Sequence, residues 1–184
     1  MSPTVYLVSG ANRGIGLAIT TQLAARPNAI VFAGARNSAQ ATDLHALATA
    51  YPGGVHILKI VSADRANNDA AIREIRRVTG RLDVVFANAG ISDCFVPALE
   101  VPTEEMVRHV EVNTNGPFVL FQAAYPLLRE SSSPKFVPVT SAMGSIADGT
   151  TYPIYTYAYG ASKAALNWVT RKLHYDFPEL GESI

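Results

Sequence analysis

A doubly wound α/β fold around a parallel sheet is what this sequence predicts, on three observations. Short apolar runs alternate with longer stretches of helical composition from end to end of the chain. Those runs are continuous rather than alternating, which is how strands buried on both faces read. The connections between them are short, which implies right-handed crossovers within a single parallel sheet.

Taken in order, residues 5–9 form the first strand and end at Gly10. A helix follows from Gly14 to Ala25 and stops at Arg26-Pro27, because proline disfavours helix in the residue before it. Residues 30–35 are the second strand, and Ser38 caps an Ala- and Leu-rich helix ending at Tyr51-Pro52-Gly53-Gly54. Residues 55–61 are the third strand; Asp64 or Ser62 then opens a helix that Gly80 closes. The fourth strand spans 82–87 and leads into a loop over 88–102. Thr103 opens a long helix, with Glu104 and Glu105 at its positive end. Residues 136–140 are the fifth strand, 144–153 a loop, and the last helix runs from Tyr157 to Tyr175. No repeat or linker interrupts this pattern, so the 184 residues read as one domain.

Composition excludes several function classes. The chain is 48% hydrophobic and 16% charged, enough for a substantial core. Its formal net charge is zero, so it has no general attraction to nucleic acid or acidic lipid. A single cysteine, Cys94, allows no intrachain disulfide and fits a reducing, cytoplasmic compartment. Met1-Ser2-Pro3-Thr4 enters the first apolar run without a basic segment or cleavage site, and no apolar run approaches the ~20 residues that span a bilayer.

The turn after the first strand reads Gly10-Ala11-Asn12-Arg13-Gly14-Ile15-Gly16. Glycines there let the backbone approach a pyrophosphate, and the N–H groups and dipole of the following helix face its charge. The spacing Gly-x-x-x-Gly-x-Gly differs from the Gly-x-Gly-x-x-Gly fingerprint and lacks the Gly-Lys-Ser/Thr ending of an ATP-binding loop. The end of the second strand, Gly34-Ala35-Arg36, has no carboxylate for a ribose 2′-hydroxyl. Arg36 and Arg13 instead suit a 2′-phosphate, so NADP(H) is the expected cofactor.

Tyr159 and Lys163 are four residues apart and share one face of the last helix. A phenol has a pKa of about 10, and a nearby ammonium stabilises its phenolate, bringing it toward acid–base range. Such a pair is common on helix surfaces, but its context is specific. Ser141 follows the fifth strand, at the carboxyl edge where doubly wound sheets place ligands. Asn113 sits inside the long helix despite being a mediocre helix former. Taken alone, Ser141 reads equally as a strand-end hydroxyl serving the backbone, and Asn113 as a helix kink.

The motifs Gly10-x-x-x-Gly14-x-Gly16, Asn88-Ala89-Gly90, Asn113, Ser141 and Tyr159-x-x-x-Lys163 occur in the order and rough spacing of the short-chain dehydrogenase/reductase family, which the chain resembles from Thr4 to about Pro178. It looks most like fungal ketoreductases and small carbonyl reductases, through residues 9–16, 140–146 and 159–168. The resemblance implies a Rossmann-type fold and an NADP(H)-dependent interconversion of ketone or aldehyde and alcohol. It implies that Tyr159 gives its proton to the carbonyl oxygen, that Lys163 holds the nicotinamide ribose and that Ser141 hydrogen-bonds the substrate oxygen. Asn113 would hold a water linking Lys163 to solvent, and Asn88-Ala89-Gly90 would pass along the cofactor.

The sequence departs from the family in places. Val61 or Ser62 stands where an adenine-contacting Asp is usual, and Asp64 reads better as a helix cap. Ala87-Asn88 keeps only the second of two asparagines, and a long gap from Ser141 to Tyr159 leaves Ser145 as a second candidate serine. The family continues with further strands, so the chain reads as C-terminally incomplete, with weak or absent catalysis expected if it is whole. That keeps open an alternative: a regulatory or sensor protein that binds nucleotide without turnover. Trp168 reads as packing, beside Leu166 and Val169, rather than as a substrate contact, Cys94 and Phe95 equally as pocket lining or plain loop, and residues 118–128 and 164–173 as faces for a homodimer or homotetramer. His45, His56, His109 and His174 show no metal-ligand spacing and no pairing with carboxylates that suggests catalysis, so no metal is expected.

Overall fold

A computed structural model describes residues 2–180. Five parallel strands form one sheet: β1 (Thr4–Ser9), β2 (Ala29–Ala35), β3 (Val55–Lys59), β4 (Val84–Ala87) and β5 (Lys135–Pro138), in the order β3-β2-β1-β4-β5. The chain winds outward from β1 to β2 and β3, then returns to place β4 on the other flank of β1. Order therefore reverses between β1 and β4, where a crevice opens at the carboxyl ends of the strands. Register aligns those ends: Ser9 pairs with Gly34, Val8 with Phe86, and Ala87 with Pro138. The predicted doubly wound α/β architecture is the one observed.

Successive β1 residues serve opposite faces. Val5 and Leu7 join Phe32, Val85, Ile75, Leu120, Leu127 and Leu128 in one core, under α3 (Arg65–Thr79) and α5 (Gly116–Leu128). Val8 joins Val31, Ala33, Leu23 and Leu44 in the other, under α1 (Gly14–Ala24) and α2 (Thr42–Ala50). Burial on both sides explains why the strands read as unbroken apolar runs.

Local chemistry sets the helix ends. Asp64 caps α3 by accepting from the Asn67 N–H, and Gly80 ends it at φ 71°, a left-handed conformation that costs glycine little. Ser38 does not cap the second helix: it opens a single 3₁₀ turn, Ser38–Gln40, and α2 starts afresh at Thr42. The long helix from Thr103 is not continuous either. It comprises α4 (Thr103–Val110), a π-helical turn over Glu111–Asn115, and α5. β3 stops at Lys59 instead of continuing to Val61: its last bond to β2 runs from the Ile60 N–H to the Ala35 carbonyl, and the Val61 N–H, on the outer side of this edge strand, donates to Asn67 Oδ1 at 2.7 Å. β4 starts two residues later than expected, and β5 is shifted, starting one residue earlier and ending two residues earlier. The last helix, α6 (Tyr157–Asp176), lies against α4 and the π turn.

Candidate active site

The glycine loop occupies the crevice by necessity of space. Gly10 has φ 64°, and a Cβ on it would stand 2.9 Å from the Ala89 Cα; a Cβ on Gly16 would stand 2.2 Å from the Gly10 carbonyl oxygen. Only residues without side chains permit this close approach of the loops that follow β1 and β4 and the start of α1. Asn88 fastens it, its Nδ2 donating to the carbonyls of Ser9 at 3.1 Å and Gly10 at 3.2 Å. Gly14, at φ 54°, has nothing within 4 Å of its would-be Cβ, so the backbone at the start of α1 faces open space. α1 has no acidic residue in its first turn, leaving its dipole available for an anion. Asn12, Arg13 and Ile15 are exposed around this opening. Arg36 is exposed at the end of β2, and neither Arg13 nor Arg36 forms an ion pair among the described residues. Bare helix N–H groups, open space and two unengaged guanidinium groups fit a phosphorylated dinucleotide.

The proposed catalytic side chains gather at the ends of β4 and β5. Lys163, 4% exposed, donates from Nζ to the Val139 carbonyl at 2.7 Å, and Nζ stands 5.8 Å from the centroid of the Tyr159 ring. Burial pushes the Lys163 ammonium down from 10.5 to about 8, since a charged group loses hydration there. The Tyr159 hydroxyl makes no hydrogen bond among the described residues, and the ring is half-buried. Asn113, wholly buried in the π turn, accepts from the Ile91 N–H at 2.8 Å and donates to the Ile91 carbonyl at 2.9 Å and to Ser162 Oγ at 3.0 Å. Gly90 lies against this group: a Cβ on it would be 3.1 Å from Asn113 Oδ1 and 3.8 Å from Lys163 Nζ.

Ser141 Oγ accepts from the Met143 N–H at 3.2 Å, capping a 3₁₀ turn over Ala142–Gly144. A hydroxyl that accepts keeps its own proton for donation. Ser145 differs: it accepts from the Asp148 N–H and donates to Asp148 Oδ2, both at 3.1 Å. Of the two serines, Ser141 alone retains a donor.

Sequence reasoning overlooked Ser9, whose buried Oγ accepts from the N–H groups of Asn88 at 3.0 Å and Ala89 at 3.1 Å. It also overlooked Thr114 and Ser162, which join the π turn to α6 through a 2.8 Å bond from Thr114 Oγ1 to the Ser162 carbonyl. Ser162, a small polar residue beside Lys163 on a packed helix, carried a signal that spacing alone did not reveal.

Two expectations are corrected. Trp168 is not core packing: it is 68% exposed, on the side of α6 away from buried Leu166. His109 does meet carboxylates, lying 3.4 Å from both Asp93 and Glu105: Glu105 stands one turn before it on α4, and Asp93 arrives on a loop that folds back over the helix. Phe95 is 52% exposed and Cys94 half-buried.

A glycine loop at a strand-order reversal, before a helix N-terminus and below a Tyr–Lys pair, defines a nucleotide-binding α/β protein. The short chain dehydrogenase family model matches residues 4–181, and the chain belongs to that family of oxidoreductases. An uncharacterized oxidoreductase of Schizosaccharomyces pombe is 34% identical over 178 residues, 96% of this chain and 69% of its own length. The norsolorinic acid ketoreductase of Aspergillus parasiticus is 37% identical over 180 residues, 94% of this chain and 66% of its own. Among solved structures, the NADPH-bound carbonyl reductase from chicken fatty liver superposes with a TM-score of 0.90 at 31% identity, over 98% of this chain and 77% of its own. No helix among the described residues is long and apolar enough to cross a membrane.

Proposed function

We propose that the protein is an NADP(H)-dependent carbonyl reductase that interconverts a ketone or aldehyde and an alcohol in the cytoplasm. The observation that carries this reading is the placement of buried Lys163, held by Val139, 5.8 Å from the ring of a Tyr159 whose hydroxyl is otherwise unengaged. Gly10, Asn12, Arg13, Gly14, Ile15 and Gly16 hold the pyrophosphate side of the cofactor, Arg36 with Arg13 its 2′-phosphate, and Asn88, Ala89 and Gly90 the stretch beyond. When bound, NADPH supplies the hydride.

This chain's own groups manage the proton and the oxygen. Tyr159 donates its hydroxyl proton to the carbonyl oxygen as negative charge develops there, and Ser141 donates a hydrogen bond to the same atom. Lys163, charged below about pH 8, stabilises the phenolate left behind and holds the ribose hydroxyls. Asn113 fixes Ile91 and Ser162 on either side of Lys163 and keeps a water path from Lys163 to solvent. Likeness to an NADPH-bound carbonyl reductase and to a ketoreductase supports the cofactor and the reaction class. A second copy of the chain packs on the faces of α5 and α6, where Phe118 is 37% and Trp168 68% exposed; sedimentation of the wild type and Trp168→Glu tests that assembly.

Tyr159→Phe tests the assignment. Carbonyl-dependent NADPH consumption falls by about 10²-fold or more while NADPH binding is retained. NADPH binding by the wild type without any turnover over a panel of ketones and aldehydes would instead assign the regulatory reading.

A further inference from the structure

Glu105 and His109 stand one turn apart on α4, and Asp93 lies in the loop after β4; one ligand atom from each falls within 4.8 Å of the others. The His109 ring is wholly buried, with Nδ1 2.8 Å from the Glu105 carbonyl oxygen. A carbonyl only accepts, so Nδ1 carries the proton and Nε2 of the neutral ring presents a lone pair. That nitrogen is buried without a hydrogen-bond partner, yet it faces Asp93 Oδ1 at 3.4 Å; Glu105 Oε2 lies 3.4 Å from Nδ1 instead, and turns toward Nε2 to share an ion with it. A lone pair and a carboxylate at this separation repel unless a cation joins them.

We propose that Asp93, Glu105 and His109 form a site for a divalent transition-metal ion of the Zn²⁺ class, with Arg108 as the resident cation that the ion displaces. Ligand bonds of about 2.0–2.2 Å in a tetrahedron put neighbouring ligand atoms ~3.3–3.6 Å apart, and the Nε2–Oδ1 separation of 3.4 Å meets that edge length. An imidazole with its Nδ1–H on a backbone carbonyl is oriented as metal-bound histidines are. One nitrogen and two carboxylate oxygens suit Zn²⁺, whereas Ca²⁺ and Mg²⁺ favour oxygen alone. Asp93 is 54% and Glu105 27% exposed, so an ion enters from solvent while His109 stays buried.

Arg108 sets the affinity. Its guanidinium reaches Asp93 Oδ1 at 2.5 Å and Glu105 Oε2 at 2.6 Å, neutralising both carboxylates without satisfying Nε2. The ion must therefore displace a cation already bound, which weakens it and makes its affinity sensitive to residue 108.

The untagged full chain, without cofactor, is titrated with Zn²⁺ by calorimetry and with Co²⁺ by visible absorption. One equivalent binds, Asp93→Asn and His109→Gln each weaken it by about tenfold or more, and Arg108→Gln tightens it several-fold. His45→Ala, an exposed histidine elsewhere, leaves binding unchanged. Absence of saturable binding to the wild type overturns the proposal. So does binding that Asp93→Asn leaves unmoved, and because Asp93 is half-exposed, that variant decides the matter even if His109→Gln folds poorly.

Discussion

Asn113 holds Ile91 by both of its main-chain polar groups, accepting from the N–H at 2.8 Å and donating to the carbonyl at 2.9 Å. With the further bond to Ser162 Oγ, one buried amide joins the loop after β4, the π turn and α6. This three-way tie is what keeps the loop beside Lys163. Asn113→Ala takes the side-chain partner from both Ile91 main-chain groups and one of two bonds from Ser162 Oγ, which still donates to the Tyr159 carbonyl, and destabilises the fold by about 3 kcal/mol, read as a lowered urea midpoint. Asn113→Asp does not rescue it, because an oxygen then faces the Ile91 carbonyl.

Two glycines of the same loop differ sharply in what they tolerate. Gly16→Ala forces a methyl to within 2.2 Å of the Gly10 carbonyl oxygen, which lies on backbone that cannot yield. The expected loss is about 3 kcal/mol, along with cofactor binding. Gly14→Ala meets no atom within 4 Å and loses only the left-handed conformation at φ 54°, about 1 kcal/mol. Urea unfolding of the two variants side by side checks the contrast.

Cofactor choice resides in two exposed guanidinium groups. Arg36→Ala weakens NADPH by about tenfold or more and leaves NADH nearly unchanged, since only the former carries a 2′-phosphate. Calorimetry with both cofactors reads the difference, and equal loss for both would remove Arg36 from that role.

Burial of Lys163 makes stability depend on pH with a definite sign. The unfolded chain keeps this proton up to about 10.5 and the native state releases it near 8, so between those values the unfolded state binds more protons. The desolvation cost is fully present below about pH 8, and stability rises with pH through that window by up to about 3 kcal/mol. Lys163→Met lacks this rise. Unfolding midpoints of both proteins across the window provide the measurement.

Ala63 has a positive φ of 59° although it carries a side chain. Ala63→Gly relieves that strain and raises stability by up to about 1 kcal/mol, net of the greater freedom of glycine in the unfolded chain. Thermal unfolding reads the gain.

What the sequence made legible followed from strong local constraints. Strand interiors buried on both faces, the Asp64 cap and the Gly80 stop all report on their own neighbourhood and were read correctly. The candidate site residues stood out as types at spacings, because a glycine loop or a Tyr–Lys pair depends on separations along one turn or one helix. Ser9 and Ser162 were not, because each acts by bonding to segments far along the chain, which no local pattern marks. Asp93 beside His109 stayed hidden for the same reason, since it arrives there by the path of a loop, whereas Glu105, four residues before His109 on α4, was within reach of a local reading. The strand ends were misjudged where apolar runs outlast the ladder, as at β3, where pairing ends at Ala35 and Lys59 although apolar Ile60 and Val61 follow.

The π turn over Glu111–Asn115 also has a bearing on how the helix region tolerates length changes. A single residue advances an α-helix by about 100°, so a turn holding one extra residue rotates everything beyond it relative to everything before. α4 points His109 inward, and α5 points Leu120, Phe121, Leu127 and Leu128 at the sheet, only because their phases differ by that offset. Removing any one residue between 111 and 115 would regularise the helix while sending one of these two faces into water. Substitutions within the turn leave that phase intact, whereas a one-residue deletion cannot be absorbed without unseating either α4 or α5.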